Sequence, residues 1–193
     1  LIRMEWSENG VFEDRASLTF INRNLPVPEF KVKKAGKKVT IRTGAVTLTY
    51  VDDKGPFNSS NLKVEFLTAG QKSVWTPGMD DSGNLMGTTR TLDNVDGRLH
   101  TSKDPLEKGL LSRDGWAIVD DSKNYLMDGT GWVTARPGQE NYLDWYIFAH
   151  GHEYKLALAD YTKVSGPAPL PPRYTFGYWY SRYWQYSDSE LRD

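Results

Sequence analysis

The chain has 193 residues, of which 24 are Lys or Arg, 25 are Asp or Glu, and none is cysteine. A net charge of −1 provides no basic footprint for nucleic acid or an anionic membrane, and the lack of cysteine excludes disulfides and cysteine-based zinc sites. Because the charges nearly balance, a neutral ligand is favoured. No apolar run approaches the length of a membrane span, and the compartment stays open. Because Leu1 is not an initiator methionine, we expect both ends to be boundaries within a longer protein.

The first two thirds of the chain alternate apolar and polar residues with the period of half-buried β-strands. The clearest examples are residues 39–42, 46–50 and 62–66. Turn-forming Asn, Asp and Gly residues separate these runs. Four more strands are predicted at residues 116–119, 125–127, 131–134 and 143–148. This spacing predicts an antiparallel β-sandwich domain over residues 1–165.

One polar segment, residues 80–98, does not fit the strand pattern. It carries Gly83, Gly87 and Gly97 and is too long for a hairpin turn. Loops of this length are uncommon in a compact domain unless they are functional or disordered. We therefore regard it as a candidate functional loop.

The pattern changes after residue 153. Tyr154, Leu158 and Tyr161 lie three or four residues apart, and Gly166 and Pro167 follow as a helix stop, which predicts a connector helix over 154–164. The proline-rich run 166–172 then marks a domain boundary. Residues 166–193 are predicted to be a linker and the start of a second unit.

Eight of the 13 residues at 174–186 are aromatic, against 13% in the whole chain. Such density is typical of a buried strand or a stacking surface, and Pro171 and Pro172 hold the chain extended before it, so residues 174–180 are predicted to form a strand. Ser187 and Glu190 have the spacing of a capping box, which predicts a helix after that strand. A strand, a loop and a helix form the opening of a βα unit, which cannot close a sheet alone.

The run PPRYTFGYWYSRYWQYSDSEL, residues 171–191, resembles the first barrel strand and following loop of glycoside hydrolase family 31, the α-glucosidases and α-xylosidases. GTTRTLD at 87–93 and LLSRDGW at 110–116 are similar to segments of that family's N-terminal sandwich. The resemblance implies a mainly β fold: a galactose-mutarotase-like sandwich followed by the first βα stub of a truncated (β/α)8 barrel. It also implies a retaining α-glycosidase whose catalytic aspartates lie beyond Asp193, so no catalytic residue is assigned within the chain. We expect no cofactor.

The same resemblance supplies the candidate contacts with a carbohydrate substrate. In the family, a sandwich loop reaches over the barrel mouth, which makes Arg90 and Asp93 candidates; the alternative is a local Arg–Asp pair that only orders the loop. Barrel active sites lie at the C-terminal ends of the strands, so Arg182, Tyr183 and Trp184 are further candidates. By resemblance Trp184 lines the sugar pocket, where an indole face suits the C–H bonds of a sugar.

The middle of the aromatic strand is interpreted differently. Phe176 and Trp179 are expected to pack between the sandwich and the rest of the chain's own barrel rather than to bind sugar. Without that barrel the strand exposes apolar surface, so we expect self-association through it.

The remaining motifs provide no clear chemistry. Glycoside hydrolysis usually needs two carboxylates about 5 Å apart or more, whereas the acid pairs at 52–53, 80–81 and 120–121 occur as turn formers. His150 and His152 would share one side of a strand but have no third ligand, so no metal site is predicted.

The rival functions are a non-catalytic carbohydrate-binding β-sandwich and a structural interaction domain. The predicted βα stub favours the enzyme, because a freestanding module has no use for a lone barrel strand.

Overall fold

The structure, a computed structural model, describes residues 1–53, 55–87, 106–137, 139–179 and 184–192. Within these residues the chain is mainly β, with antiparallel sheets and few helices. The helices are α1 (Tyr154–Ser165) and two 3-10 helices, Gln139–Asn141 and Arg173–Phe176. The strands are β1 (Ile2–Ser7), β2 (Lys31–Ala35), β3 (Lys38–Arg42), β4 (Thr47–Val51), β5 (Leu62–Thr68), β6 (Gln71–Trp75), β7 (Ala117–Asp120), β8 (Leu126–Met127), β9 (Val133–Thr134) and β10 (Tyr142–Phe148).

Five consecutive strands form one antiparallel sheet in the order β2-β3-β4-β5-β6. The strands predicted at 39–42, 46–50 and 62–66 are confirmed as β3, β4 and β5. Because side chains alternate along a strand, the apolar residues of each strand lie on one face of the sheet. On that face Leu48 of β4 lies opposite Val64 of β5, and both are buried. Sequence neighbours pair throughout this sheet, as expected for strands joined by short turns.

A second antiparallel sheet has the order β1-β10-β7 and packs against the first. On β10, Trp145 and Ile147 face the five-stranded sheet, whereas Tyr146 and Phe148 face the opposite way. Residues of both sheets share one buried cluster, which is the arrangement of a β-sandwich. Its members are Met4, Val46, Leu48, Leu62, Val64, Phe66, Trp75, Trp116, Ile147 and Ala149.

The outer face of the three-stranded sheet is covered by residues near position 20 and by α1. Phe20 is fully buried and stacks on Tyr146 with ring centroids 3.8 Å apart. Helix α1 spans nearly the residues predicted for it, but it buries Ala157 and Val164, whereas Leu158 is 46% exposed. The helix is therefore confirmed, and of the residues that predicted it Tyr161 packs against Phe20 and Phe148, whereas Leu158 lies at the surface. None of the described helices is long and apolar enough to cross a membrane.

The aromatic segment near the C-terminus differs from the prediction. Instead of a strand over 174–180, Arg173–Phe176 form a 3-10 helix, and the following residues as far as Trp179 are irregular. A barrel strand takes its backbone hydrogen bonds from neighbouring strands, and none of the described strands pairs with this segment. The capping box does form, with the Ser187 amide donating to Glu190 Oε2 at 2.8 Å, but residues 188–192 make turns rather than an α-helix.

Candidate functional site

The predicted sugar contacts fall mostly beyond the part of the chain that the structure describes. Arg90, Asp93, Arg182 and Tyr183 lie outside the described residues. Trp184 is described and is 58% exposed. Its contact with a sugar stays a prediction.

The described part of the predicted functional loop, residues 80–87, pairs with residues 106–114, and we call these two segments the loop stem. The two sides run antiparallel, joined by a bridge between Asn84 and Ser112. Backbone hydrogen bonds extend this pairing in both directions: the Leu85 amide donates to the Leu111 carbonyl at 2.9 Å and the Arg113 amide to the Gly83 carbonyl at 2.8 Å. The pairing reaches as far as Gly87, whose amide donates to the Glu107 carbonyl, and the candidate residues Arg90 and Asp93 follow in the sequence.

Asn84 holds the two sides of the loop stem together through its side chain. Its Nδ2 donates to Asp81 Oδ2 at 2.6 Å and to the Gly109 carbonyl at 2.9 Å. Its Oδ1 accepts from the amides of Met86 and Gly109, each at 2.8 Å. All the usual donors and acceptors of an amide are thus in use, and an aspartate here would lose two donors.

Two carboxylates complete the loop stem, one buried and one at the surface. Asp81 is 6% exposed and accepts a hydrogen bond from the Ser112 hydroxyl. Asp80 is exposed and lies 2.7 Å from Lys108 Nζ, and this hydrogen bond lowers the pKa of the Asp80 carboxyl below its ordinary value. Both acids of the pair at 80–81 therefore link the two sides of the stem through side-chain contacts, whereas the pair was predicted to be turn formers.

An aromatic cleft of about 260 Å³ lies beside the loop stem. Trp75, Trp116 and Trp145 line it together with Asp81, Asn84 and Lys108 of the stem. Trp75 is 3% exposed and Trp116 is 6% exposed, with ring centroids 6.1 Å apart. Because these two rings are almost covered, they support the root of the loop rather than offer open faces for a sugar.

A buried group of charges, which we call the charge cluster, anchors the first part of the chain to the outer sheet face. Asp144 on β10 and Asp121 after β7 are fully buried and accept hydrogen bonds from three arginines. Arg136 Nη2 lies 2.9 Å from Asp121 Oδ2, and Arg23 bridges both carboxylates. The full set is Arg3, Arg23, Asp121, Arg136 and Asp144.

The charge cluster was not predicted from the sequence, because its members lie up to 141 positions apart and form no local motif. Asp121 had been interpreted only as half of a turn-forming pair. No local sequence pattern marks Asp121 as a buried residue, although its side chain is fully buried. Each charge of the cluster has a counter-ion within it, and the cluster acts as a structural anchor.

The histidines do not form a metal site in the described part of the chain. His150 Nε2 lies 2.9 Å from Asp160 Oδ2, and His152 Nε2 lies 2.8 Å from the Arg113 carbonyl oxygen. Burial lowers the pKa of His150, and its hydrogen bond with Asp160 opposes that shift. Among the residues described, no group of three or more possible ligand side chains could hold a metal ion.

The chain is similar over 51 residues to a protein named Alpha-glucosidase 2 from Bacillus thermoamyloliquefaciens, with 41% identity. The similar stretch is 26% of this chain and 6% of that protein, so the chain spans a small part of the relative that it matches. No protein-family model matches the chain. The similarity indicates a link to the glycoside hydrolases.

Proposed function

We propose that this chain is the N-terminal part of a retaining α-glycosidase of the family 31 type. A galactose-mutarotase-like sandwich would precede the first strand and helix of a (β/α)8 barrel, with the boundary near residue 166. The observation that carries this proposal is the local similarity to an α-glucosidase, together with the mainly β, antiparallel architecture.

Within this proposal, the sandwich shapes the sugar pocket through the loop that the stem supports. The backbone amide of Met86 donates a hydrogen bond to the Asn84 side chain. Arg90 and Asp93 follow Met86 by four and seven positions in the sequence. The four hydrogen bonds of the Asn84 side chain hold the two sides of the stem together, and a fixed loop root is what substrate positioning requires. One of these two side chains would contact the sugar or order the loop around it.

The aromatic C-terminal segment would complete the site from the barrel side. Tyr174, Phe176 and Trp179 are each about 70% exposed, at 72%, 72% and 69%. Exposed aromatic side chains at this density need a covering partner, and the remaining barrel strands are the partner that we propose. Pairing with those strands would convert the segment to its extended form and bring Arg182, Tyr183 and Trp184 to the barrel mouth.

The chemistry itself is assigned to residues outside this chain. A retaining enzyme uses one carboxylate as nucleophile and another as acid and base, about 5 Å apart. Asp81 and Asp121 are buried in structural hydrogen bonds, and Asp53 accepts hydrogen bonds from the turn amide of Gly55 and from Asn61. Acids held in this way cannot serve as such a pair.

Activity assays on two proteins test the proposal. The 193-residue chain and the longer protein that contains it are assayed with p-nitrophenyl α-glycosides of glucose and xylose. We expect turnover by the longer protein and none by the chain alone. Turnover by the isolated chain that survives stringent purification would contradict the proposal, as would an inactive longer protein that lacks two suitably spaced aspartates.

A non-catalytic carbohydrate-binding sandwich is the second candidate. Asp53, Asp81 and Asp121 are held in structural hydrogen bonds, and this favours a binding module because such a module needs no reactive carboxylates. The same assays separate the two functions: sugar binding without turnover by the longer protein would support the binding module.

A further inference from the structure

A second, larger cleft lies away from the loop stem and shares no lining residue with the aromatic cleft. We call it the polar cleft. It has a volume of about 560 Å³, within the usual size of a small-molecule site. It is bounded by residues 7–9 and 11–13, at and after the end of β1, and by residues 136–137 and 140–142, before and at the start of β10. The lining residues that matter here are Glu8, Phe12, Glu13, Arg136, Glu140 and Tyr142.

Arg136 gives this cleft a fixed planar group. Its side chain is fully buried, its Nη2 donates to Asp121, and its guanidinium lies over the Tyr142 ring, 5.0 Å from the centroid. Its Nε is buried and has no hydrogen-bond partner among the described residues. The positive charge is offset by Asp121 and Asp144, so Arg136 lines the cleft without making it cationic.

The walls of the polar cleft are rich in hydrogen-bond acceptors. Glu8 and Glu140 are exposed, and Glu13 is fixed by a paired contact with Arg15. Hydrogen bonds from Arg15 lower the pKa of Glu13 to about 2, so that carboxylate is ionised near neutral pH. Several carboxylates without an unpaired cation repel phosphate or carboxylate ligands and suit a ligand that presents many O–H donors.

An aromatic ring lies beside these acceptors. Phe12 is 56% exposed although it lines the cleft, and its neighbour Val11 is 66% exposed. An open ring face next to carboxylates and a planar guanidinium matches a ligand that has hydroxyls at its edge and C–H bonds on its face. A pyranose has both properties.

We propose that the polar cleft binds a neutral sugar of one or two units, as a site separate from the catalytic pocket. The ring of Phe12 stacks on the C–H face of the sugar, and Glu8 and Glu140 accept hydrogen bonds from its hydroxyls. No bond is made or broken there. The inference does not depend on the glycosidase role, because binding is measured on this chain itself.

Titration of the 193-residue chain with maltose, cellobiose and xylobiose, followed by NMR, tests the site. Phe12→Ala and Glu140→Gln are the test variants. Phe30→Ala and Glu29→Gln are their controls, since Phe30 is similarly exposed, at 52%, and neither control residue lines the cleft. Melting temperatures show that each variant is folded.

We expect saturable binding of at least one of these sugars, weakened about tenfold or more by each test variant and unchanged by each control. The proposal is overturned if none of the three sugars binds. It is also overturned if a sugar binds and both test variants retain wild-type affinity, because the site would then lie elsewhere. Binding of spermidine in place of the sugars would likewise overturn it, since it would identify a site for cations.

Discussion

Replacing Asp121 by Asn removes one of the two carboxylates from the charge cluster while it keeps the side-chain shape. Asp121 is fully buried and accepts hydrogen bonds from Ser17 Oγ, Arg136 Nη2 and Asn124 Nδ2, each at 2.9 Å, and from Arg23. The substitution leaves Arg23 and Arg136 with Asp144 as their remaining counter-ion. Removing one partner of a buried ion pair costs about 3–5 kcal/mol, because the other charge stays buried and uncompensated.

A loss of that size is a large fraction of the 5–15 kcal/mol that typically separates folded from unfolded protein. Urea denaturation at pH 7, followed by tryptophan fluorescence, measures it directly. The matched control is Asp120→Asn, next along the chain: Asp120 is exposed, and Asn retains the oxygen that accepts from the Ser122 amide. We expect the control to lie within about 1 kcal/mol of wild type.

The cluster also predicts how two changes combine. Asp144→Asn should cost about as much as Asp121→Asn, and the double variant should cost clearly less or more than their sum, because both acids share two arginines. If Asp121→Asn were as stable as its control, or the two substitutions were simply additive, the charge cluster would not be the anchor described above.

The remaining predictions concern a close contact, a pH dependence and the tail. Gly151→Ala should destabilise the chain by more than about 1 kcal/mol, because φ is +59° and a Cβ would lie 2.5 Å from a backbone oxygen. Gly44→Ala, with open space around the added Cβ, should not. Equal melting temperatures for the two variants would contradict this prediction. Since Arg15 lowers the pKa of Glu13 from 4.5 to about 2, Glu13 stabilises the fold above pH 4.5 and that contribution is lost as the pH falls towards 2. Glu13→Gln should therefore flatten the decline in melting temperature over that range, and an unchanged decline would show that the pair is not formed in solution. Removing residues 173–193 should abolish concentration-dependent self-association in light scattering, and a full chain that stays monomeric at high concentration would refute that expectation.

The strands were predictable from the sequence where alternation is a local property. Residues 62–66 alternate buried and partly exposed positions in β5, as their pattern indicated. Strand β10 was also predicted, although both of its faces are covered. Strands β1, β2 and β6 were missed; in β2 all five residues are exposed and three are lysines, so no apolar period marks it.

The parts that sequence reasoning could not supply depend on distant partners. The charge cluster joins residues about a hundred or more positions apart, and the loop stem joins Asn84 to Ser112 across a segment with no strand pattern. The aromatic C-terminal segment was predicted to form a strand, but Arg173–Phe176 form a 3-10 helix. Its composition indicates that it needs an apolar partner, but composition alone does not determine whether the backbone is extended before that partner is present.

Steady-state kinetics of Asp93→Ala in the longer protein, with melting curves on the same preparations, test the central claim most directly. Removing a charged hydrogen bond to a ligand costs about 1.5–3 kcal/mol, so we predict a roughly ten- to hundredfold fall in kcat/KM at an unchanged melting temperature. Asp96→Ala, on the same loop, serves as the control. A kcat/KM near the wild-type value for both Asp93→Ala and Arg90→Ala, or a fall in melting temperature that accounts for the lost activity, would contradict the claim that this loop contacts the sugar.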